Sequence, residues 1–67
     1  MLELTVNGKP RTIDQPMTLL AYLEQLGINP HIVAVEHNGD IIRREHYGET
    51  QLRAGDVLEI VRMVGGG

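Results

Sequence analysis

Thr18-Leu19-Leu20-Ala21-Tyr22-Leu23-Glu24-Gln25-Leu26-Gly27 carries the period of an amphipathic helix. Leu19, Leu20, Leu23 and Leu26 fall on one stripe, Thr18 stands as N-cap and Gly27 as the C-terminal stop. Met17 and Tyr22 occupy the N′ and N4 positions of a hydrophobic staple, whereas Ala21 at N3 rules out a capping box. One such helix cannot bury its own leucine stripe. It needs an apolar sheet face, and the residues on both sides supply one.

On the N-terminal side, Leu2, Leu4 and Val6 alternate with Glu3, Thr5 and Asn7, the period-two pattern of a half-buried strand. Asn7-Gly8 is a hairpin signal, and Lys9 to Ile13 returns as an edge strand because Pro10 cannot donate a ladder bond. The first two strands are expected to pair antiparallel. Pro16 closes the second.

On the C-terminal side, Asn29-Pro30 breaks the chain and His31 to Glu36 reads as a strand near the sheet centre. Asn38-Gly39 is a second hairpin signal leading into a short strand from Asp40 to Ile42. Arg43 to Tyr47 is polar enough for a surface turn or one short helical turn, and Thr50 to Leu52 is a candidate small strand. Ala54-Gly55-Asp56 makes a tight turn before the last strand, Val57 to Met63. The expected fold is therefore α+β: an α/β roll with a mixed four- to five-stranded sheet and one main helix packed on one face. Residues 1–64 are expected to form the domain and residues 65–67 a flexible glycine tail.

The bulk properties narrow the function. A chain of 67 residues is one domain that needs most of its apolar residues in one core, and with aromatic content of 3% that core must be aliphatic. The absence of cysteine excludes a disulfide framework, a thiolate metal site and a thiol carrier. A net charge of −3 without a basic cluster argues against nucleic acid as the main partner. The N-terminus shows no secretory pattern and no apolar run reaches membrane-spanning length, so the expected location is cytoplasmic, with no membrane partner.

Within the last strand the two alternating sets differ. Leu58, Ile60 and Val64 form one and Val57, Glu59, Val61 and Met63 the other; with Glu59 in solvent, Leu58 and Ile60 face the helix. Val61 and Met63 then lie on the exposed sheet face, and with Val64 they are the candidate residues for docking a partner beside the tail. Scattered exposed apolar residues are also ordinary on any surface.

No catalytic arrangement is present in the sequence. Gly65-Gly66-Gly67 has no following helix and so is not a phosphate loop, no Ser-His-acid set has motif context, and the chain is too small to enclose a substrate pocket of several hundred Å³ beside its own core. His31, His37 and His46 fit no metal-ligand spacing, so no metal site is expected, and Arg43-Arg44 reads as a solvated turn. The chain is expected not to be an enzyme. The glycine end does offer chemistry: an α-carboxyl, which ordinarily titrates at a pKa of about 3.3 to 3.7, is an anion near pH 7, nucleophilic but a poor electrophile until activated. Attack on the α-phosphate of ATP gives an acyl-adenylate whose unshielded carbonyl a sulfur nucleophile can reach. A glycine-rich end is equally what a frayed terminus looks like.

Taken together, Val6-Asn7-Gly8-Lys9-Pro10, the helix from Thr18 to Gly27, Val33-Ala34-Val35-Glu36-His37-Asn38-Gly39 with Ile42 and Arg44, Gly55-Asp56-Val57-Leu58-Glu59-Ile60-Val61 and the end Val64-Gly65-Gly66-Gly67 resemble the sulfur carrier family of thiamine biosynthesis, small β-grasp proteins of ubiquitin-like fold. The resemblance spans essentially the whole chain. It implies a carrier whose terminal Gly67 is adenylated by an activating adenylyltransferase that uses ATP and magnesium, the carrier itself binding no cofactor. The terminus then becomes a thiocarboxylate with sulfur from a cysteine desulfurase or sulfurtransferase, and thiazole synthase is the acceptor. Gly66 and Gly67 match the family's diglycine end, which with Gly65 would thread into a partner's active site. The small subunit of molybdopterin synthase shares these features but is usually longer and often carries an aromatic residue in its later part, where this chain has neither Phe nor Trp. A ubiquitin-like protein modifier and a β-grasp binding module are two further readings of the same features.

Overall fold

The computed structural model describes residues 1–63. Two hairpins flank one helix. β1 (Leu2–Val6) pairs antiparallel with β2 (Lys9–Ile13), and β3 (Val33–His37) pairs antiparallel with β4 (Asp40–Ile42). Between the hairpins runs α1 (Leu19–Gln25), and β5 (Val57–Arg62) closes the sheet. The strand order β2-β1-β5-β3-β4 puts β5 at the centre, parallel to β1 and antiparallel to β3. The sheet is thus mixed and five-stranded, as the alternation and the turn residues led one to expect.

Each turn has a local cause. Asn7 and Asn38 adopt φ of 52° and 53°, followed by Gly8 and Gly39 at 81° and 89°, the doubly positive geometry that a two-residue hairpin loop needs. Thr18 caps α1 by accepting a hydrogen bond from the Ala21 N–H at 3.1 Å, and Gly27, with φ of 75°, ends the turn after it.

Leu4, Val6, Ile13, Val33, Val35 and Leu58 on the inner sheet face pack with Leu19, Tyr22 and Leu23 of α1, and Tyr47 and Leu52 complete the core. Each such side chain fully withdrawn from water contributes roughly 1.5–3 kcal/mol, so a few of them decide whether a domain of this size folds.

Four expectations about the elements need correction. Leu26 is not on the buried stripe: it is the C-cap and 45% exposed, and Tyr22 takes its place because positions 19, 22 and 23 share the face turned to the sheet. The strand expected from His31 begins only at Val33. Pro30–Ile32 form a single 3₁₀ turn, since Asn29 caps it through the His31 N–H (2.8 Å) and Pro30 sits where a missing N–H costs nothing. Tyr47, placed in a polar surface segment, is buried; the exposed 3₁₀ turn Arg44–His46 swings its ring inward and its hydroxyl donates to the Val33 carbonyl at 3.3 Å. Residues 50–52 form no strand among the described residues, only one bridge between Gln51 and Thr18.

The short helix also leaves an open space on the inner face of the sheet. Seven residues of α1 span about 10 Å, whereas six of β5 span about 20 Å, so the helix cannot cover the inner face to its end. An open groove with a cavity volume of about 670 Å³ remains there.

Candidate functional site

The last strand is held by the two hairpin tips, at its middle and at its start. The Asn7 amide takes both backbone groups of Ile60: its Oδ1 accepts from the Ile60 N–H at 2.7 Å and its Nδ2 donates to the Ile60 carbonyl at 3.2 Å. Asn38 acts similarly at the start of the strand, where its Oδ1 accepts from the Val57 N–H at 2.8 Å and its Nδ2 donates to Asp56 Oδ1 at 3.1 Å. Sequence reasoning assigned both asparagines to turns alone; the side chains' second role depends on which strand lies alongside.

Asp56 is the most connected polar residue of this support. Besides Asn38, it accepts from the Arg53 N–H (2.8 Å) and meets His37 Nε2 at 2.8 Å. Burial pushes its carboxyl up, but the hydrogen bonds from His37, Arg53 and Asn38, with the His37 charge, outweigh that and hold it below the ordinary 3.8. Of the three histidines, His37 alone enters such a network. Among the described residues no group of three or more His, Asp or Glu side chains is placed to hold a metal.

β5 leads out of the sheet towards residue 64. The Met63 N–H donates to the Ile32 carbonyl at 2.8 Å, so the ladder with the β3 side reaches the last described residue. Val61 and Met63 are 59% and 54% exposed, Glu59 is exposed and Leu58 is buried, which is the face assignment expected from the alternation. The register adds residues the sequence could not join to them: Ala34 lies opposite Val61, and Ile41, 76% exposed, lies opposite Glu36. These side chains surround a shallow depression of about 80 Å³. The same outer face carries Glu3, Glu36 and Glu59, with Glu36 and Glu59 directly opposite each other, a like-charge pairing that costs stability in a sheet. Val64, Gly65, Gly66 and Gly67 lie outside the described residues.

A mixed sheet with its first and last strands parallel at the centre, two flanking hairpins and one helix across a single face is the ubiquitin-like β-grasp roll, here with a central strand pointing towards a glycine end. The ThiS family model matches residues 4–67, and the chain belongs to the ThiS family. Among its relatives are the sulfur carrier protein ThiS of Bacillus subtilis, 44% identical over 65 residues that cover 96% of this chain and 98% of that protein, and a thiazole synthase of Paramagnetospirillum magneticum, 39% identical over 66 residues. The latter match covers 98% of this chain, which spans only 20% of the thiazole synthase. The crystal structure of a thiamine biosynthesis protein (ThiS) from Geobacter metallireducens superimposes with a TM-score of 0.87 at 36% identity, covering 98% of this chain and all of that one.

Proposed function

We propose that this chain carries sulfur for thiazole formation, with the Gly67 carboxylate as the group that is loaded. The observation that carries the reading is the family match itself, which runs through residue 67 and so takes in the glycine end as well as the β-grasp domain. The names of the relatives favour the thiamine pathway over molybdopterin synthesis.

In this reading residues 1–64 are the docking domain and residues 65–67 the tail that enters a partner's active site. The Gly67 carboxylate attacks the α-phosphate of ATP in an activating enzyme that also binds magnesium, and pyrophosphate leaves; a persulfide on a desulfurase or sulfurtransferase then displaces AMP to give an acyl disulfide, and a second thiol of a partner takes the partner's sulfur by thiol–disulfide exchange, releasing the thiocarboxylate. The thiocarboxylate so formed passes sulfur to thiazole synthase. That a relative named thiazole synthase contains a segment like this chain within its own length supports that acceptor. In this reading the partners supply the activating groups, and the chain is their substrate, cytoplasmic like them.

Ordering a glycine arm costs on the order of 1–2 kcal/mol of backbone entropy per residue, which contacts of the folded domain must offset. Val61, Met63 and Val64 are the proposed docking residues, with Ala34 and Ile41 extending the patch. Incubation with the activating enzyme, ATP and a sulfur source should replace one oxygen by sulfur at Gly67, seen by intact mass and blocked by a thiol alkylator, a control that separates it from methionine oxidation. Sulfur transfer that survives deletion of Gly67 would refute the mechanism.

A further inference from the structure

The groove beyond the end of α1 is the inner counterpart of the outer patch. Its floor is the inner face of the sheet where the helix has stopped, with Val6 and Ile60, and its walls include Ile32 and Leu26. Two arginines stand on it. Arg11 lies opposite the inward-facing Leu4 and Arg62 opposite the inward-facing Val33, so both belong to the helix side of the sheet. Among the described residues no acidic side chain lines the groove, in a chain with nine acidic against six basic residues, and no carboxylate lies within ion-pairing distance of either guanidinium. The two faces of the sheet are therefore opposite in charge where β5 leaves it: carboxylates with exposed aliphatic side chains outside, guanidinium groups over an aliphatic floor inside.

We infer that this groove receives a protein segment presenting an aliphatic side chain flanked by carboxylates. The aliphatic side chain covers Ile60 and Ile32, which the seven-residue helix leaves half-buried beside the core residue Val6, and the carboxylates meet Arg11 and Arg62, whose planar forks suit carboxylate oxygens. Among the described residues the groove has no α-helix N-terminus or glycine-rich loop of the kind that holds phosphate, so a nucleotide is the poorer fit. Because Arg62 precedes the glycine tail by only two intervening residues, a segment seated here contacts the protein that takes the tail; only that identification of the partner rests on the sulfur-carrier reading.

The test is an NMR titration of the ¹⁵N-labelled 67-residue chain with a blocked tetrapeptide, Asp-Leu-Leu-Glu, its lysine-flanked counterpart and ATP. The acidic peptide should give saturable shifts at the amides of residues 26–29, 32 and 60, weakened about tenfold in Arg11→Glu/Arg62→Glu, less in the glutamine pair, and weakened again by high salt. Both arginines are exposed, so thermal stability should not move. The inference is overturned by absent shifts, by equal shifts with the lysine peptide, by ATP acting in place of the peptide, or by loss of the shifts in Val61→Asp, which would put the binding on the outer face. Sulfur loading of Gly67 is read separately by mass, so either result can fail without the other.

Discussion

Asp56 shows how one side chain links three segments. It is only 8% exposed, and its carboxyl joins the turn residue Arg53, the β3 end at His37 and the hairpin tip at Asn38 just before the central strand begins. Replacing it by alanine strands those donors and should cost about 1–3 kcal/mol, a fall in Tm on the order of 10 °C for a domain of this size. The pH dependence follows from the direction of its shift. Its folded-state pKa lies below the ordinary 3.8, so its contribution is present above that value and is lost as pH falls through the lower, folded one. Thermal melts between about pH 5 and pH 2 should therefore show a flatter acid limb in Asp56→Asn than in the native chain. Tyr47 is a second case: burial raises its hydroxyl pKa, opposed by the Arg44 charge, and the buried ring should make Tyr47→Ala cost about 3–5 kcal/mol, enough to unfold much of the population.

The two Asn-Gly tips are built alike and act alike on β5. A glycine in place of either asparagine keeps the positive φ and removes only the amide, so the variants isolate the clamp from the turn. Asn7→Gly should speed hydrogen exchange at the Ile60 amide and Asn38→Gly at the Val57 amide, each with a loss of about 0.5–1.5 kcal/mol per bond removed. If exchange at Ile60 were unchanged, Asn7 would be a turn residue and nothing more. For α1, loss of the Thr18 cap in Thr18→Ala should cost about 1 kcal/mol, a large share for a helix of seven residues that has no acidic residue in its first turn to help it.

In the molecule as a whole, the two faces of β5 answer differently to substitution. Leu58→Ala opens the core and should cost about 2–5 kcal/mol by denaturant melt. A charge at Val61 or Met63 should leave the melt within about 0.5 kcal/mol of native while weakening capture of the activating enzyme or thiazole synthase; severe unfolding instead would mean that the faces are reversed. Partner binding at native strength by those variants would remove the outer patch as a docking surface.

Much of this plan is readable in the chain, because it depends on neighbours in sequence. Alternation in Leu2 to Val6 and Val57 to Arg62, positive-φ tolerance in Asn-Gly, and the Thr18 cap with the Gly27 stop each act within a few residues, and they determine the strands, the hairpins, the helix and the outward set of β5. Whether a lone aromatic such as Tyr47 turns inward, and which strand each asparagine amide meets, depends on residues far away in sequence, Ile60 standing 53 positions from Asn7. The outward set of β5, Val61 and Met63, was legible in the alternation; the residues that join it on either face were not. Strand order and register alone bring Ala34 and Ile41 to Val61, oppose Glu36 to Glu59 and set Arg11 with Arg62 over one groove. Sequence determined what the elements are and which side each strand buries, since those follow from local backbone preference and hydrophobic period; tertiary structure decided what lies next to what, since pairing between distant strands is settled only when the core closes.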